Sequence, residues 1–149
     1  MRTTVQAAPP EHHEWIAKRA GLTLHGGFMA IEAIDDAGRI VGMVGYDGWL
    51  PRAVCLHVAV EHPAALRRLI SAGFGVAFEP APAGFGKAAV IATVLSTNTR
   101  SLNLVRKLGF RPAYVGRGWA GEDVDFCVFE MRREECRWLR AEGRAAWAA

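Results

Sequence analysis

Four polar side chains lie in or beside the two most apolar stretches of this sequence and could take part in group-transfer chemistry. His57 lies within the first stretch and Glu61 directly follows it, whereas Asn98 and Ser101 follow the second stretch. A histidine or a carboxylate can act as a general base, and a hydroxyl or amide can donate a hydrogen bond to developing charge. These side chains could work together only if the fold brings the two stretches side by side.

The two stretches have the composition of buried strands. Residues 53–60 (AVCLHVAV) and 88–95 (AAVIATVL) are almost entirely apolar and rich in β-branched residues. Such runs are typical of strands covered on both faces, as in a parallel pair. His57 interrupts the first run, and it can be either a buried, hydrogen-bonded histidine or a base. Glu61 can equally be a base or a solvated carboxylate at a helix start.

A helix with clear signals at both ends follows the second stretch. Asn98 suits the N-cap because its side-chain oxygen can accept from a free amide of the first turn. Gly109 suits the end because glycine adopts the left-handed conformation without penalty. Between them, apolar residues recur at helical spacing: Leu102, Val105 and Leu108. Ser101, in the first turn, could bond to the backbone there or reach a ligand.

The remaining pattern predicts a mixed α/β chain that forms a single domain over residues 1–149, with a loose N-terminus at residues 1–10 and a C-terminal helix or tail at residues 132–149. Gly73 and Gly75 indicate a kink or close packing on the sheet within the second helix. The predicted elements are a helix at 11–20, a hairpin of 28–34 and 39–46, a helix at 63–78, a hairpin of 111–117 and 124–131 around a loop at 118–123, and a terminal helix at 134–147.

Composition argues against several classes of protein. The net charge is only +3 and no basic run occurs, so binding to nucleic acid is not indicated. No stretch approaches the length of a membrane span, and the three cysteines have no metal-site or disulfide spacing. His12 and His13 are adjacent and do not share a helix face, so we expect no metal site. A cytoplasmic protein without a membrane partner is the expectation.

In its motifs the chain resembles the GNAT superfamily of N-acetyltransferases, and its ribosomal-protein N-acetyltransferase-like branch in particular. The motifs are the N-x-x-S helix start at Asn98 and Ser101, KLGF at 107–110, Asp125 followed by Met131, and ECRW at 135–138. The resemblance implies a mixed, mostly antiparallel sheet with a central splayed pair of parallel strands, flanked by helices. It also implies an acyl-CoA-dependent N-acyltransferase.

The resemblance further implies that acetyl-CoA is the co-substrate and that its pantetheine arm enters the gap between the splayed strands. It would pair there with the backbone of Val58, Ala59 and Val60, while Asn98 and Ser101 contact it from the following helix. The acceptor would be a primary amine of a small molecule or peptide that attacks directly. The base would be His57 or Glu61, with Ser101 as a proton or hydrogen-bond donor, and no metal takes part.

The sequence departs from the family in two places. Residues 60–68 contain no glycine, although the family normally has a glycine-rich pyrophosphate loop there. One alternative is that the helix start, together with Arg67 or Arg68, replaces this loop, since guanidinium groups suit phosphate geometry. The other is that cofactor binding is weakened or lost. Val105 stands where many members have a tyrosine that protonates the leaving thiolate, which makes Ser101 the substitute donor.

Three further matters stay open at the level of sequence. A catalytically inactive GNAT-like binding or scaffold module is the alternative function, motivated by the missing glycines and by Val105. Trp49 and Trp119 can line an acceptor cleft or cover the edge of the core. An exposed edge strand near Phe28 or Val124 could support a homodimer.

Overall fold

The structure, a computed structural model, describes residues 2–140, which contain a seven-stranded sheet. The strands are β1 (Thr4–Ala7), β2 (Met29–Ile34), β3 (Ile40–Asp47), β4 (Ala53–Val60), β5 (Ala89–Leu95), β6 (Arg111–Gly121) and β7 (Val124–Arg132). Their order is β1-β2-β3-β4-β5-β7-β6, and every neighbouring pair is antiparallel except β4 and β5. The mostly antiparallel sheet with a central parallel pair is therefore confirmed.

Within residues 2–140, three α-helices cover the sheet unequally. They are α1 (Glu14–Ala20), α2 (Pro63–Phe78) and α3 (Thr99–Leu108). On one face, α1 buries Ile16 against Met43 of β3. On the other face, α2 and α3 share one apolar core, where the ring of Phe74 lies 5.8 Å from that of Phe110. The strands therefore separate an α1 side from an α2/α3 side.

The glycine in the middle of α2 lets the helix lie close to the sheet. An ideal Cβ built at Gly73 would lie 3.2 Å from a methyl group of Val44, so a side chain there would press on β3. The hydroxyl of Tyr46 donates a 2.7 Å hydrogen bond to the Gly73 carbonyl. The helix runs unbroken past this point, and of the two predicted alternatives, a kink or close packing on the sheet, the glycine serves close packing.

Replacing Tyr46 by phenylalanine is expected to lower the free energy of unfolding by about 1 kcal/mol near neutral pH, because the buried hydrogen bond is lost. Burial raises the pKa of Tyr46 well above its ordinary value of 10.0. The folded state therefore keeps the phenol proton, whereas the unfolded chain releases it. Wild-type stability should be fully present below pH 10.0 and should decline as the pH rises further.

Urea unfolding at a series of alkaline pH values checks this expectation. Burial also raises the pKa of Cys55 and Cys136 above 9.0, so both proteins should lose some stability from that pH upward. Only the wild type should show the additional tyrosine-dependent loss. Tyr114→Phe, at an exposed position, is the matched control and should behave as the wild type. Parallel declines in the wild type and Tyr46→Phe would contradict the assignment.

The predicted loose N-terminus is wrong for residues 4–7. This segment pairs with β2 from Thr4↔Ile34 to Ala7↔Ile31, and Arg68 of α2 donates to the Thr3 carbonyl at 3.0 Å. A four-residue strand with one large apolar side chain has too little periodicity to be recognised from sequence. Its order comes from backbone hydrogen bonds to a neighbour distant in the chain.

The loop predicted at 118–123 is shorter than expected. Strand β6 continues through Gly121, and only Glu122 and Asp123 connect it to β7. The Asp125 carboxylate accepts from the Gly118 amide at 3.0 Å, which holds the irregular part of β6 against β7. The glycines that indicated a loop instead lie inside a long, irregular edge strand.

The C-terminal segment differs from the predicted helix at 134–147. Two short 3-10 turns, Arg133–Glu135 and Arg137–Arg140, occupy its first part, and residues 141–147 lie outside the described residues. Arg137 donates to the Lys107 carbonyl at 2.7 Å, and the Trp138 indole donates to the Leu108 carbonyl at 2.9 Å. These bonds satisfy carbonyls that the end of α3 leaves free.

Candidate active site

The parallel strands β4 and β5 pair over only part of their length. Their register runs from Ala53↔Ala89 to Cys55↔Ile91 and stops there. Beyond this point β4 remains paired with β3 and β5 remains paired with β7. Since successive peptide groups of a strand point to opposite edges, those that face the gap have no strand partner. We call this opening, between residues 56–60 and 92–95, the wedge.

A cavity of about 270 Å³ lies in the wedge. Most of its walls come from α1, β4, β5 and α3, which are far apart in sequence. Most of the lining is apolar, as in small-molecule sites generally. The polar side chains of the lining are Arg19, His57, Thr93, Asn98 and Ser101.

The polar side chains approach the wedge from opposite faces of the sheet. The register Cys55↔Ile91, together with strand alternation, places His57 and Thr93 on the face that α1 covers. Helix α3, which supplies Asn98 and Ser101, packs on the other face with α2. Two molecules could thus reach the wedge from different sides and meet within it.

His57 is held by an aspartate that the sequence did not single out. The β3–β4 register pairs Gly45 with His57 and sets Asp47 diagonally beside it on the same face. The Asp47 carboxylate oxygen lies 2.7 Å from His57 Nε2, and the two side chains are 20% and 17% exposed. A carboxylate can only accept, so Nε2 donates, and Nδ1 of the neutral ring is left to accept a proton.

Glu61 lies at the end of β4 but is engaged elsewhere. Arg19 donates to its Oε1 through Nη2 at 2.6 Å and Nε at 3.1 Å, and also donates to the Trp15 carbonyl. The Glu61 side chain is 44% exposed and is not part of the described cavity lining. Of the two predicted base candidates, the structure therefore brings only His57 into the wedge. Arg19, which lines the cavity, is a further residue that sequence reasoning missed.

The start of α3 has the N-cap that the sequence predicted. The Asn98 side chain accepts from the Ser101 amide at 3.1 Å, which confirms the N-cap, and both residues line the cavity. Val105, one turn later, is buried and also lines it. Since valine has no proton to give, Ser101 supplies the hydroxyl that this helix presents to the wedge.

The predicted cofactor residues around the start of α2 are placed differently from one another. Val58 lines the cavity, whereas Ala59 and Val60 continue β4 along the wedge and pack beside α1 and α2 respectively. At the helix start, Arg67 is exposed. Arg68 donates a hydrogen bond through Nη1 to the Thr3 carbonyl, so it connects the start of β1 to α2.

Other candidates lie away from the wedge. Trp49 donates its indole N–H to the Gly27 carbonyl at 2.9 Å and packs edge-on against Phe85, so it covers the edge of the core. His12 is bonded to Glu32. Within residues 2–140 there is no group of three or more histidine, cysteine or acidic side chains that could hold a metal ion. In the same range no helix is long and apolar enough to cross a membrane.

Solved structures show that this architecture is shared with N-acetyltransferases. A provisionally assigned phosphinothricin N-acetyltransferase is similar with a TM-score of 0.67 and 15% identity, over 88% of this chain and 98% of that one. Mutant forms of the spermidine/spermine N-acetyltransferase SpeG from Vibrio cholerae give 0.70 and 11%, over 89% and 96%. A dodecameric structure of the Vibrio cholerae spermidine N-acetyltransferase gives 0.70 and 11%, over 93% and 96%.

At these identities the likeness establishes the fold, which is that of the GNAT N-acetyltransferases. The sequence itself matches no model of a known protein family, and no curated protein matches it significantly.

Proposed function

We propose that this protein transfers an acyl group, acetyl in the simplest case, from acyl-CoA to a primary amine inside the wedge. The observation that supports this most is the end of β4–β5 pairing at Cys55↔Ile91, next to a cavity that contains a carboxylate-bonded histidine. A gap between two central strands leaves buried backbone groups unpaired, which is costly unless a ligand satisfies them.

The wedge fits the extended part of an acyl-CoA. A pantetheine arm contains amides, and amides can pair with the free edge of β4 at Val58, Ala59 and Val60 by strand addition. The exposed Arg67 and the positive end of the α2 helix dipole suit the pyrophosphate. When bound, acyl-CoA supplies an acyl group activated as a thioester, whose C–S bond breaks as the new amide forms.

The protein side chains supply positioning and proton transfer. The amine approaches from the α1 side, where His57 Nδ1 accepts the proton that the nitrogen gives up as it bonds to the acyl carbon. Asp47 keeps Nε2 protonated and stabilises the imidazolium that results. From the α3 side, the Ser101 hydroxyl donates a hydrogen bond toward the departing sulfur.

An inactive binding or scaffold module of the same fold is the second candidate. It is favoured by the glycine-free segment at 60–68 and by the engagement of Arg68 with Thr3, which together leave fewer groups for a pyrophosphate. Binding of CoA without transfer to any amine, in a protein that also forms a stable complex with another protein, would support this alternative.

Isothermal titration with acetyl-CoA tests the proposed function. We expect saturable binding, weakened about 10-fold or more by Arg67→Glu, because a cation near the phosphates becomes an anion. Arg106→Glu, an equally exposed charge reversal in the last turn of α3, is the matched control and should bind as the wild type. Absence of saturable binding at millimolar acetyl-CoA would overturn the proposal.

Transfer is then measured with a panel of primary amines. The acylated amine and free CoA should be quantified by chromatography, because the free thiols of Cys55, Cys127 and Cys136 would react with thiol reagents. Production of both in equal amounts is the expected result.

A further inference from the structure

The α1 side of the sheet continues beyond the wedge as an apolar surface. Pairing of β5 with β7 and of β7 with β6 places residues in two rows that run outward from the cavity lining. The rows are Thr93, Val128 and Tyr114, and Leu95, Phe126 and Gly116. Since directly paired residues share a face, both rows lie on the same side as His57.

An aromatic pair stands at the outer end of these rows. The Trp119 ring lies directly over Gly116, in the space where a Cβ of residue 116 would be. Its ring centroid is 5.5 Å from that of Tyr114. We call the surface formed by Leu95, Phe126, Val128, Tyr114 and Trp119 the aromatic shelf.

The shelf is exposed within the part of the chain that the structure describes. Trp119 is 64% exposed, Tyr114 58% and Leu95 42%. On this face α1 lies over β3 and β4, whereas α2 and α3 belong to the core of the opposite face. A contiguous group of exposed aromatic side chains is characteristic of a binding surface.

Two features point to the occupant of the shelf. It is continuous with the active-site cavity, because Leu95 belongs to both and Thr93 of the lining begins the other row. It also lies on the face of His57, the side from which the amine would approach. Its five side chains include no carboxylate, and Glu130, which lies on the same face two residues from Val128, has its carboxylate 3.9 Å from the Arg111 guanidinium. The shelf therefore offers a second or third ammonium group only aromatic faces and no carboxylate of its own, whereas it suits a flat apolar group.

We propose that the aromatic shelf binds the body of the acyl acceptor, which is a primary amine that carries a flat apolar or aromatic group. Two strand spacings separate β5 from β6, so this group lies roughly 10 Å from the reacting nitrogen. The inference rests on the proposed function for the identity of the reacting nitrogen. The flat apolar or aromatic group distinguishes this acceptor from a polyamine of similar length.

Three amines test the inference: 4-phenylbutylamine, n-butylamine, which lacks the ring, and spermidine, which has comparable length but additional charges. We expect kcat/KM for 4-phenylbutylamine to exceed that for each of the others on the order of 10- to 100-fold, the gain from burying an aromatic ring. Calorimetric titration of the same amines, without acyl-CoA, gives a readout independent of turnover and should show the same ranking.

Two variants should abolish the preference for the ring. Trp119→Ala removes half of the aromatic pair, and Gly116→Val displaces the Trp119 ring while leaving it in the chain. Both should reduce the phenylbutylamine-to-butylamine ratio at least 10-fold without changing the rate with n-butylamine. Val115→Ser is the matched control, because Val115 is also exposed but points to the opposite face of β6.

The outcomes separate this inference from the proposed function. Failure to bind acetyl-CoA would remove the proposed function, and the amine titrations would still decide whether the shelf binds a ring. Equal affinity for all three amines, or an unchanged ratio in Trp119→Ala, would overturn the inference. A dimer in sedimentation that Trp119→Ala dissociates would also overturn it, because the shelf would then be occupied by a second copy.

Discussion

Replacing His57 by glutamine is expected to lower kcat about 10²- to 10⁴-fold, the usual contribution of a general base. The Kd for acetyl-CoA should stay within about 3-fold of the wild type, because the His57 side chain faces the amine side of the wedge, whereas the proposed contacts to CoA use the backbone of β4. Glutamine can still bond to Asp47, so the strand pair should remain intact. Steady-state kinetics together with calorimetry measure the two quantities separately.

A second variant tests which residue is the base. Glu61→Gln should change kcat less than a few-fold, because this carboxylate is held in an exposed ion pair with Arg19, and such pairs contribute little. A loss in Glu61→Gln as large as that in His57→Gln would show that the base has been assigned to the wrong residue.

Asp47→Asn tests the carboxylate behind His57. An asparagine amide can donate to Nε2, which favours the tautomer with the proton on Nδ1 and so removes the acceptor. We expect kcat to fall roughly 10- to 100-fold and the pH–rate profile to change shape, while KM stays near the wild-type value. A purely structural role would lower thermal stability without altering the profile.

Ser101→Phe is expected to weaken acetyl-CoA binding by at least about 100-fold, because a benzyl group would fill a cavity of about 270 Å³ from the α3 side. The fold should tolerate the change, since Ser101 is only partly buried and its amide, not its hydroxyl, makes the bond to the N-cap. Circular dichroism and titration calorimetry on the same sample distinguish a blocked cavity from an unfolded protein.

Ser101→Ala and Asn103→Phe are the matched controls. Ser101→Ala keeps the space and removes only the hydroxyl, so it should retain binding and lose kcat in proportion to the role of that hydroxyl as a donor. Asn103→Phe adds the same bulk on the exposed side of α3 and should leave binding unchanged. Wild-type affinity in Ser101→Phe would show that the ligand does not enter the wedge.

The site illustrates which residues sequence reasoning can and cannot find. Asn98 and Gly109 are local signals, because a cap acts on the turn beside it, and the structure confirms both helix ends. Asp47 is a non-local feature. Its importance depends on a strand register that brings it to His57, and that register follows from the length and bend of the intervening turn.

The same distinction explains the errors. Strand β1 was missed because its order comes from pairing with a segment more than twenty residues away. Arg67 and Arg68 are equivalent in sequence, but helix geometry directs them differently, and only Arg68 reaches the Thr3 carbonyl. Glu61 was a base candidate from its position after β4, but Arg19 of α1, which is distant in sequence, forms an ion pair with it.

The sequence by itself determined the order of helices and strands from α1 to β7, the two apolar central strands and the motifs at the start and end of α3, because periodicity and capping are properties of neighbouring residues. The tertiary structure alone decided where β4 and β5 part, which base candidate faces the wedge and that an aromatic shelf adjoins it. These depend on register and packing between distant segments, where a shift of one residue would turn each side chain to the other face.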